Sequence, residues 1–322
     1  MKYIVEKLVQ MLVVLLLLSI IVFAIARLSP GDPLRSYYGD GAQQMSEMQR
    51  EAAREKLGLN GSILTQYGKW VNNLIDGDLG ISYKYKEPVT TVIGRVMGNT
   101  LRLGGTAYVL TFVLATFIGM FCALRENRLA DKLICKIGIV SNCIPSFFIA
   151  LMLILVFAVN LGIFPTGGAY SYGQSDNGLD RAFHLVLPVT VLVIEHLWYY
   201  AYLIRNKLLE ETRKDYVLLC KSSGMSSWQI IRWQCLKNVL PSILVMMAIA
   251  LPHILGGTYV VEMVFSYPGL GTLAFESAKY QDYHLLMAIS LLTGIVVVVF
   301  HVLAQVISEK IDPRMKEQGV GK

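Results

Sequence analysis

Six apolar stretches of membrane-spanning length, at 8–26, 103–124, 137–163, 184–204, 239–264 and 285–307, constrain this chain more than any other feature. A helix rises about 1.5 Å per residue, so about 20 apolar residues cross a hydrocarbon core about 30 Å thick. Backbone polar groups meet no water there, so each stretch must satisfy its own hydrogen bonds as a helix. Composition agrees: 54% of the 322 residues are hydrophobic and 16% charged, more apolar surface than one soluble core buries. The expectation is an all-α integral membrane protein with about six transmembrane helices. The first stretch follows Lys2 and Lys7, and Ala24-Ile25-Ala26 resembles a signal cleavage site. Its apolar run exceeds the roughly 7 to 15 residues of a signal core, so it reads as an uncleaved first helix.

Charge placement sets the topology. Short loops retain lysine and arginine on the cytoplasmic side. Arg125, Arg128, Lys132 and Lys136 lie between segments two and three, and Arg205, Lys207, Arg213, Lys214, Lys221, Arg232 and Lys237 between four and five. The 164–183 and 265–284 connections hold only Arg181 and Lys279. Both termini are therefore expected in the cytoplasm. The same clustering beside apolar segments accounts for the net charge of +6 without nucleic acid. Cys122, Cys135, Cys143, Cys220 and Cys235 show no metal-ligand spacing and read as small apolar filler.

The expected division is a first transmembrane helix at 1–27, an extracytoplasmic segment at 28–102, a five-helix core at 103–308 and a cytoplasmic tail at 309–322. Within the external segment, 46–57 reads as a charged helix and 64–75 as an amphipathic one carrying Tyr67, Trp70, Val71, Leu74 and Ile75. Turn clusters Ser29-Pro30-Gly31-Asp32-Pro33 and Gly77-Asp78-Leu79-Gly80 bracket them.

The polar segment 206–238 carries the most complete local instructions. A first short helix runs through Leu208, Leu209, Tyr216, Leu219 and Cys220 and stops at Gly224, which can take the left-handed conformation of a helix C-terminus. A second opens at Ser226-Ser227-Trp228-Gln229, a capping box in which Ser226 and Gln229 each satisfy an exposed backbone N–H. Its apolar face takes Ile230, Ile231, Trp233, Cys235 and part of Leu236. Such a helix–glycine–helix unit between two spans either projects as a rigid knob or lies on the lipid surface.

The stretch from Asp215-Tyr216-Val217 through Gly224 to Leu236-Lys237-Asn238 resembles the cytoplasmic coupling loop of ABC importer permeases of the oligopeptide, dipeptide and nickel group. Further landmarks of that group follow in order: Leu28-Ser29-Pro30-Gly31-Asp32-Pro33, Gly77-Asp78-Leu79-Gly80 with Ser82, Ile144-Pro145-Ser146-Phe147-Phe148, Gly256-Gly257 with Glu262, Tyr267-Pro268-Gly269-Leu270-Gly271, and Asp312-Pro313-Arg314. The resemblance spans nearly the whole chain. Two departures fall in the loop: Cys220-Lys221-Ser222-Ser223 replaces the family's alanines and basic residues, and Leu236-Lys237 stands where the broader motif has Leu-Pro.

The resemblance implies a type I importer permease fold in the prokaryotic inner or plasma membrane, with a second similar permease, two cytoplasmic ATPase subunits and an external substrate-binding protein as partners. ATP and magnesium would be used by the ATPases. This chain, with no GxxxxGK(S/T) phosphate loop, would bind no cofactor and catalyse nothing itself. Asp215, Tyr216, Gly224, Ser226, Gln229 and Asn238 are the candidate ATPase-coupling residues. The external segment and the 265–284 loop would receive the binding protein.

Ionisable residues at membrane depth cost roughly 2.5 to 3.5 kcal/mol on insertion scales and usually face protein or a watery path. Glu195 and His196 in the fourth span and His253 in the fifth are therefore candidates for the translocation pathway, or else form an interhelical pair such as Glu195 with His253. Glu262, Pro268 and Gly269 are outer-gate candidates, the alternative for Glu262 being a solvated helix end. Pro145 should kink the third span. Met246 and Met247 read as packing. Peptide is the expected cargo and nickel or a metal chelate the alternative. An ion-coupled secondary transporter would need paired broken helices, and none is visible. An intramembrane enzyme would need a motif such as HExxH or GxSxG, and the chain has neither.

Overall fold

The computed structural model describes residues 2–28, 33–141 and 143–311. In chain order the helices are α1 (Lys2–Leu28), α2 (Pro33–Tyr38), α3 (Glu47–Lys56), α4 (Ile63–Ile75), α5 (Val89–Leu124), α6 (Leu129–Ser141), α7 (Ser146–Leu153), α8 (Gly178–Thr212), α9 (Asp215–Ser222), α10 (Ser227–Gln229), α11 (Leu236–Val264), α12 (Leu270–Lys279) and α13 (Tyr283–Ile311). Among the described residues extended pairing is limited to a single Ile81–Pro88 bridge. The Ser29-Pro30-Gly31-Asp32 turn, the Asp312-Pro313-Arg314 landmark and the rest of the tail lie outside the described residues.

Among the described residues five helices are long and apolar enough to cross a bilayer: Val9–Leu28, Val89–Leu124, Gly178–Thr212, Ser227–Val264 and Tyr283–Leu303. Their outward faces expose large apolar side chains, among them Leu12, Leu16, Ile21, Val109, Phe117 and Phe300, which suits lipid as solvent. The third apolar stretch is not the single kinked helix expected. It is two helical pieces, Leu129–Ser141 and Ser146–Asn160, bent by 106°. Cys143 N and Ile144 N close tight turns on Val140 O and Ser141 O at 2.9 and 3.2 Å, ending α6. Pro145 then biases Ile144 away from helical geometry and opens α7 as its N-cap.

The chain forms two compact units, of which the first comprises Met1–Gly98 and Gly269–Val299. Here α3 and α4 form as expected. Ser46 caps α3 reciprocally with Gln49 (2.9 and 3.3 Å), and Ser62 accepts from Thr65 N at 3.2 Å to open α4. Tyr67 and Trp70, on the apolar face of α4, pack on Phe23 of α1 with ring centroids 5.3 and 5.7 Å away, and the Tyr67 hydroxyl meets Ser19 Oγ at 2.8 Å. The 80–88 turn is pinned to α12 and α13. Buried Asp282 accepts from Ser82 Oγ, from Lys84 N at 3.1 Å and from Leu285 N at 3.4 Å, capping α13. Glu276 of α12 accepts from Lys84 Nζ at 2.5 Å and Tyr85 Oη at 2.7 Å. Gly80, at φ +81°, is required here, because a Cβ would lie 2.7 Å from His284 Nδ1.

The second unit comprises Asn99–Pro268 and Phe300–Lys322. In it α8 packs against α6, α7 and α11. The α5 helix joins this core through Leu103, Ala107, Phe112, Ala115, Met120 and Ala123. Gly119 of α5 allows close helix approach, since its Cβ would sit 3.0 Å from Ile204 Cγ2 and 3.1 Å from Ala201 O. At the base of α8, Arg205 holds Asp131 of α6 with two hydrogen bonds, 2.5 and 2.6 Å, and Asp131 also accepts from Asn127 N at 3.0 Å. The pair is largely buried, and its bidentate, hydrogen-bonded geometry offsets the cost of desolvating two charges.

Candidate functional site

The 206–238 segment is not two free-standing short helices, because both of its ends continue into membrane helices. Leu208 and Leu209, assigned from the sequence to the first short helix, belong instead to α8, which runs unbroken to Thr212. The chain turns at Arg213 and Lys214, and α9 starts with exposed Asp215, whose charge complements the helix N-terminus. The α9 helix ends as expected at Gly224 (φ +80°): Met225 N bonds Cys220 O at 3.2 Å and Gly224 N bonds Lys221 O at 3.0 Å. Ser226 and Gln229 make the expected capping box, with Ser226 N to Gln229 Oε1 at 2.9 Å and Gln229 N to Ser226 Oγ at 3.3 Å. The second helix is not separate, because α10 passes through a π-helical turn, Ile230–Cys235, directly into α11. Ile230, Ile231 and Cys235 are buried as anticipated, whereas Trp233 is 60% exposed.

One residue that the sequence did not single out ties this region together. Glu211, buried near the end of α8, accepts from Tyr216 Oη of α9 and from Asn238 Nδ2 of α11, each at 2.9 Å, and pairs with Lys214 Nζ at 2.5 Å. Burial, with hydrogen bonds to Cys235 and Glu211, pushes the Tyr216 phenol well above its ordinary range, so it acts as a neutral donor. Tyr216 and Asn238 thus come together, while Gly224, Ser226 and Gln229 occupy the exposed knuckle beyond them. That knuckle carries Leu218, Leu219 and Trp228 at 66%, 69% and 43% exposure. A glutamate in a charged stretch has no sequence signal separating a hub from a solvated side chain.

The membrane-depth residues also converge. Glu195 and His196 of α8 and His253 of α11 line one cavity of about 450 Å³, with Tyr199, Tyr200 and Leu203 of α8, Met246 and Ile249 of α11, and Ser141 and Ile144. The suggested Glu195–His253 pair does not form: among the described residues no hydrogen bond or ion pair joins them, and Glu195 Oε2 is buried without a partner. His196 Nδ1 instead lies 2.9 Å from Leu192 O. Gly257 faces the site, its would-be Cβ 3.6 Å from Glu195 Oε2 and 3.7 Å from His196 Cε1. Among the described residues no three histidine, cysteine or acidic side chains are disposed to hold a metal ion.

At the far end of α11, Glu262 is fully buried, which excludes a solvated helix end, and Thr100 Oγ1 donates to it at 2.8 Å. The helix closes with Ser266 in left-handed geometry (φ +48°), Tyr267 N bonding Glu262 O at 2.8 Å and Ser266 N bonding Met263 O at 3.2 Å. Asn99 Nδ2 holds Pro268 O at 2.9 Å. Gly269 caps α12, its N–H meeting Thr272 Oγ1 at 3.1 Å.

Comparison with known proteins agrees with this architecture. Residues 115–317 match the model of the binding-protein-dependent transport system inner membrane component, and 1–104 match its N-terminal companion. The chain is 32% identical to the oligopeptide transport system permease protein AppB of Bacillus subtilis, covering 98% of this chain and 99% of that one. It is 31% identical to the nickel import system permease protein NikB of Staphylococcus aureus, covering 98% and 92%. A chain of the MetNI methionine ABC transporter in an inward-facing conformation superposes with a TM-score of 0.54 at 16% identity, over 69% of this chain and 97% of that one, and shares the fold. Broken and unbroken spans, the family match along nearly the whole length and the shared fold lead to one assignment: the chain belongs to the binding-protein-dependent transport system inner membrane components, as a multi-pass permease subunit of a prokaryotic ABC importer.

Proposed function

We propose that this permease forms the pathway for oligopeptides or dipeptides delivered by an external binding protein, in a complex with a second, similar permease and two cytoplasmic ATPase subunits. The observation that carries the coupling role is the Glu211 hub. It fastens the Tyr216 end of the exposed knuckle to both α8 and α11, so a push on Leu218, Leu219 and Trp228 displaces two membrane helices together. Apolar side chains grouped at an exposed, rigid tip suit docking to a protein partner. ATP would be hydrolysed with magnesium in the partner subunits, and this chain would convert their closure into movement around the Glu195 cavity. The first unit, which gathers the 33–98 segment and α12, would receive the binding protein, and Glu262 would stabilise the outer gate.

The peptide reading is favoured by the oligopeptide relative. The nickel relative supports a metal or metal chelate as the second reading. Proteoliposomes holding the complete transporter with its binding protein distinguish them. ATP-dependent accumulation of radiolabelled tri-alanine is expected; accumulation of nickel ion without tri-alanine would replace the peptide reading with the metal one. External labelling of Lys221→Cys by a membrane-impermeant reagent would overturn the coupling role.

A further inference from the structure

The cavity beside Glu195 has a one-sided electrostatic character. Among the described residues its lining offers one carboxylate and two imidazoles, and no lysine or arginine. Glu195 Oε2 is removed from solvent yet has no donor. A buried carboxylate oxygen without a partner is costly, and a donor arriving from outside would relieve that cost. Gly257 keeps the oxygen uncovered, since any side chain there would start 3.6 Å from it. Leu192 O can only accept, so the 2.9 Å contact places a proton on His196 Nδ1 and turns that N–H away from Glu195. Tyr199, Tyr200 and Met246 complete the wall, and aromatic rings attract a cation placed over their faces.

From these features we infer that the cavity selects passing solutes by charge: Glu195 receives a cationic group, an ammonium such as a peptide's amino terminus or else a metal cation. This rests on the pathway role given above and adds a selectivity to it. A solute presenting only carboxylate or neutral acceptor groups would leave Glu195 without a donor, and an anionic one would be repelled by it.

The test is electrostatic and independent of uptake. Met246→Cys places a thiol in the cavity wall of the complete transporter, and modification at position 246 is read by peptide mass spectrometry. Rates are compared for a trimethylammonium-ethyl and a sulfonatoethyl methanethiosulfonate. The cationic-to-anionic rate ratio is expected to fall about tenfold, equal to about 1.4 kcal/mol, when Glu195→Gln is added, and to be kept with Glu195→Asp. Tri-alanine should slow the cationic reagent and N-acetyl-tri-alanine should not; slowing by nickel ion instead would identify a metal as the cation. An unchanged ratio in Glu195→Gln, or equal slowing by both peptides, overturns charge selection while leaving the pathway role standing. No modification at position 246 by either reagent would overturn both.

Discussion

Asn238 Nδ2 lies 2.9 Å from Glu211 Oε1, so the first turn of α11 is fastened to the last turns of α8 by a hydrogen bond spanning 27 residues of chain. Tyr216 Oη reaches the same oxygen at 2.9 Å, which makes α9 the third member of the joint. The exposed knuckle therefore has a built base.

Replacing Glu211 with alanine removes an acceptor shared by three donors, and Tyr216 keeps only its 3.5 Å contact with Cys235 Sγ in place of a bond to a carboxylate. Hydrogen bonds to a charged group are worth about 1.5 to 3 kcal/mol each, and part of that is recovered by relaxation, so a loss of about 2 to 4 kcal/mol in the stability of this region is expected. ATP hydrolysis should persist while solute moved per ATP falls severalfold. Unchanged coupling in Glu211→Ala proteoliposomes would remove the joint from the mechanism.

Gly224 is needed for its backbone, not for space: φ is +80° and nothing lies within 4 Å of its would-be Cβ. Gly224→Val should therefore cost about 1 to 2 kcal/mol through strain and uncouple hydrolysis from uptake, while Gly224→Asn, which tolerates this conformation, should retain most uptake. Equal transport in all three chains would show that the knuckle's geometry is immaterial. Ser266 closes α11 in the same geometry with a Cβ present, so Ser266→Gly should raise thermal stability.

The Asp131–Arg205 pair makes a different demand. Asp131→Ala strands a guanidinium that is 14% exposed, with an expected cost of about 3 to 5 kcal/mol, whereas Asp131→Leu with Arg205→Met should cost much less. Thermal unfolding in detergent across the full double-mutant cycle measures the coupling. Additive costs would mean that the two side chains act independently.

Glu276 supplies a pH dependence in the first unit. The hydrogen bond from Lys84 Nζ, helped by Tyr85 and nearby lysines, holds its carboxyl below the ordinary range against the opposing effect of burial. A depressed carboxylate pKa contributes stability above the unfolded value and loses it as pH falls through the folded one. The Tm should therefore drop between about pH 5 and about pH 3, and the Glu276→Gln chain should show a smaller drop over that window. Identical acid profiles for the two would show that the Lys84–Glu276 contact carries no linkage.

Much of the local structure was legible because it depends on neighbours in the chain. The Ser226/Gln229 and Gly224 features, α3 and α4, and five of the spans follow from periodicity, capping chemistry and apolar run length. Where α8 ends was not legible, since Leu208, Leu209 and Tyr216 share one apolar spacing and only the turn at Arg213 and Lys214 separates them. The bend before α7 exceeded what Pro145 alone announces, because the adjoining tight turns at Cys143 and Ile144 add to it.

By itself the sequence determined that this chain crosses a membrane repeatedly, and its landmarks identified the transport family. Hydropathy and backbone conformation are properties of short stretches, and short stretches can be read. Only the tertiary structure decided that Glu195, His196 and His253 share one cavity, that Glu195 is left unpaired there, and that Glu211 joins three helices. Those facts depend on which helix faces approach one another, and a carboxylate's role is set by the donors that packing brings to it.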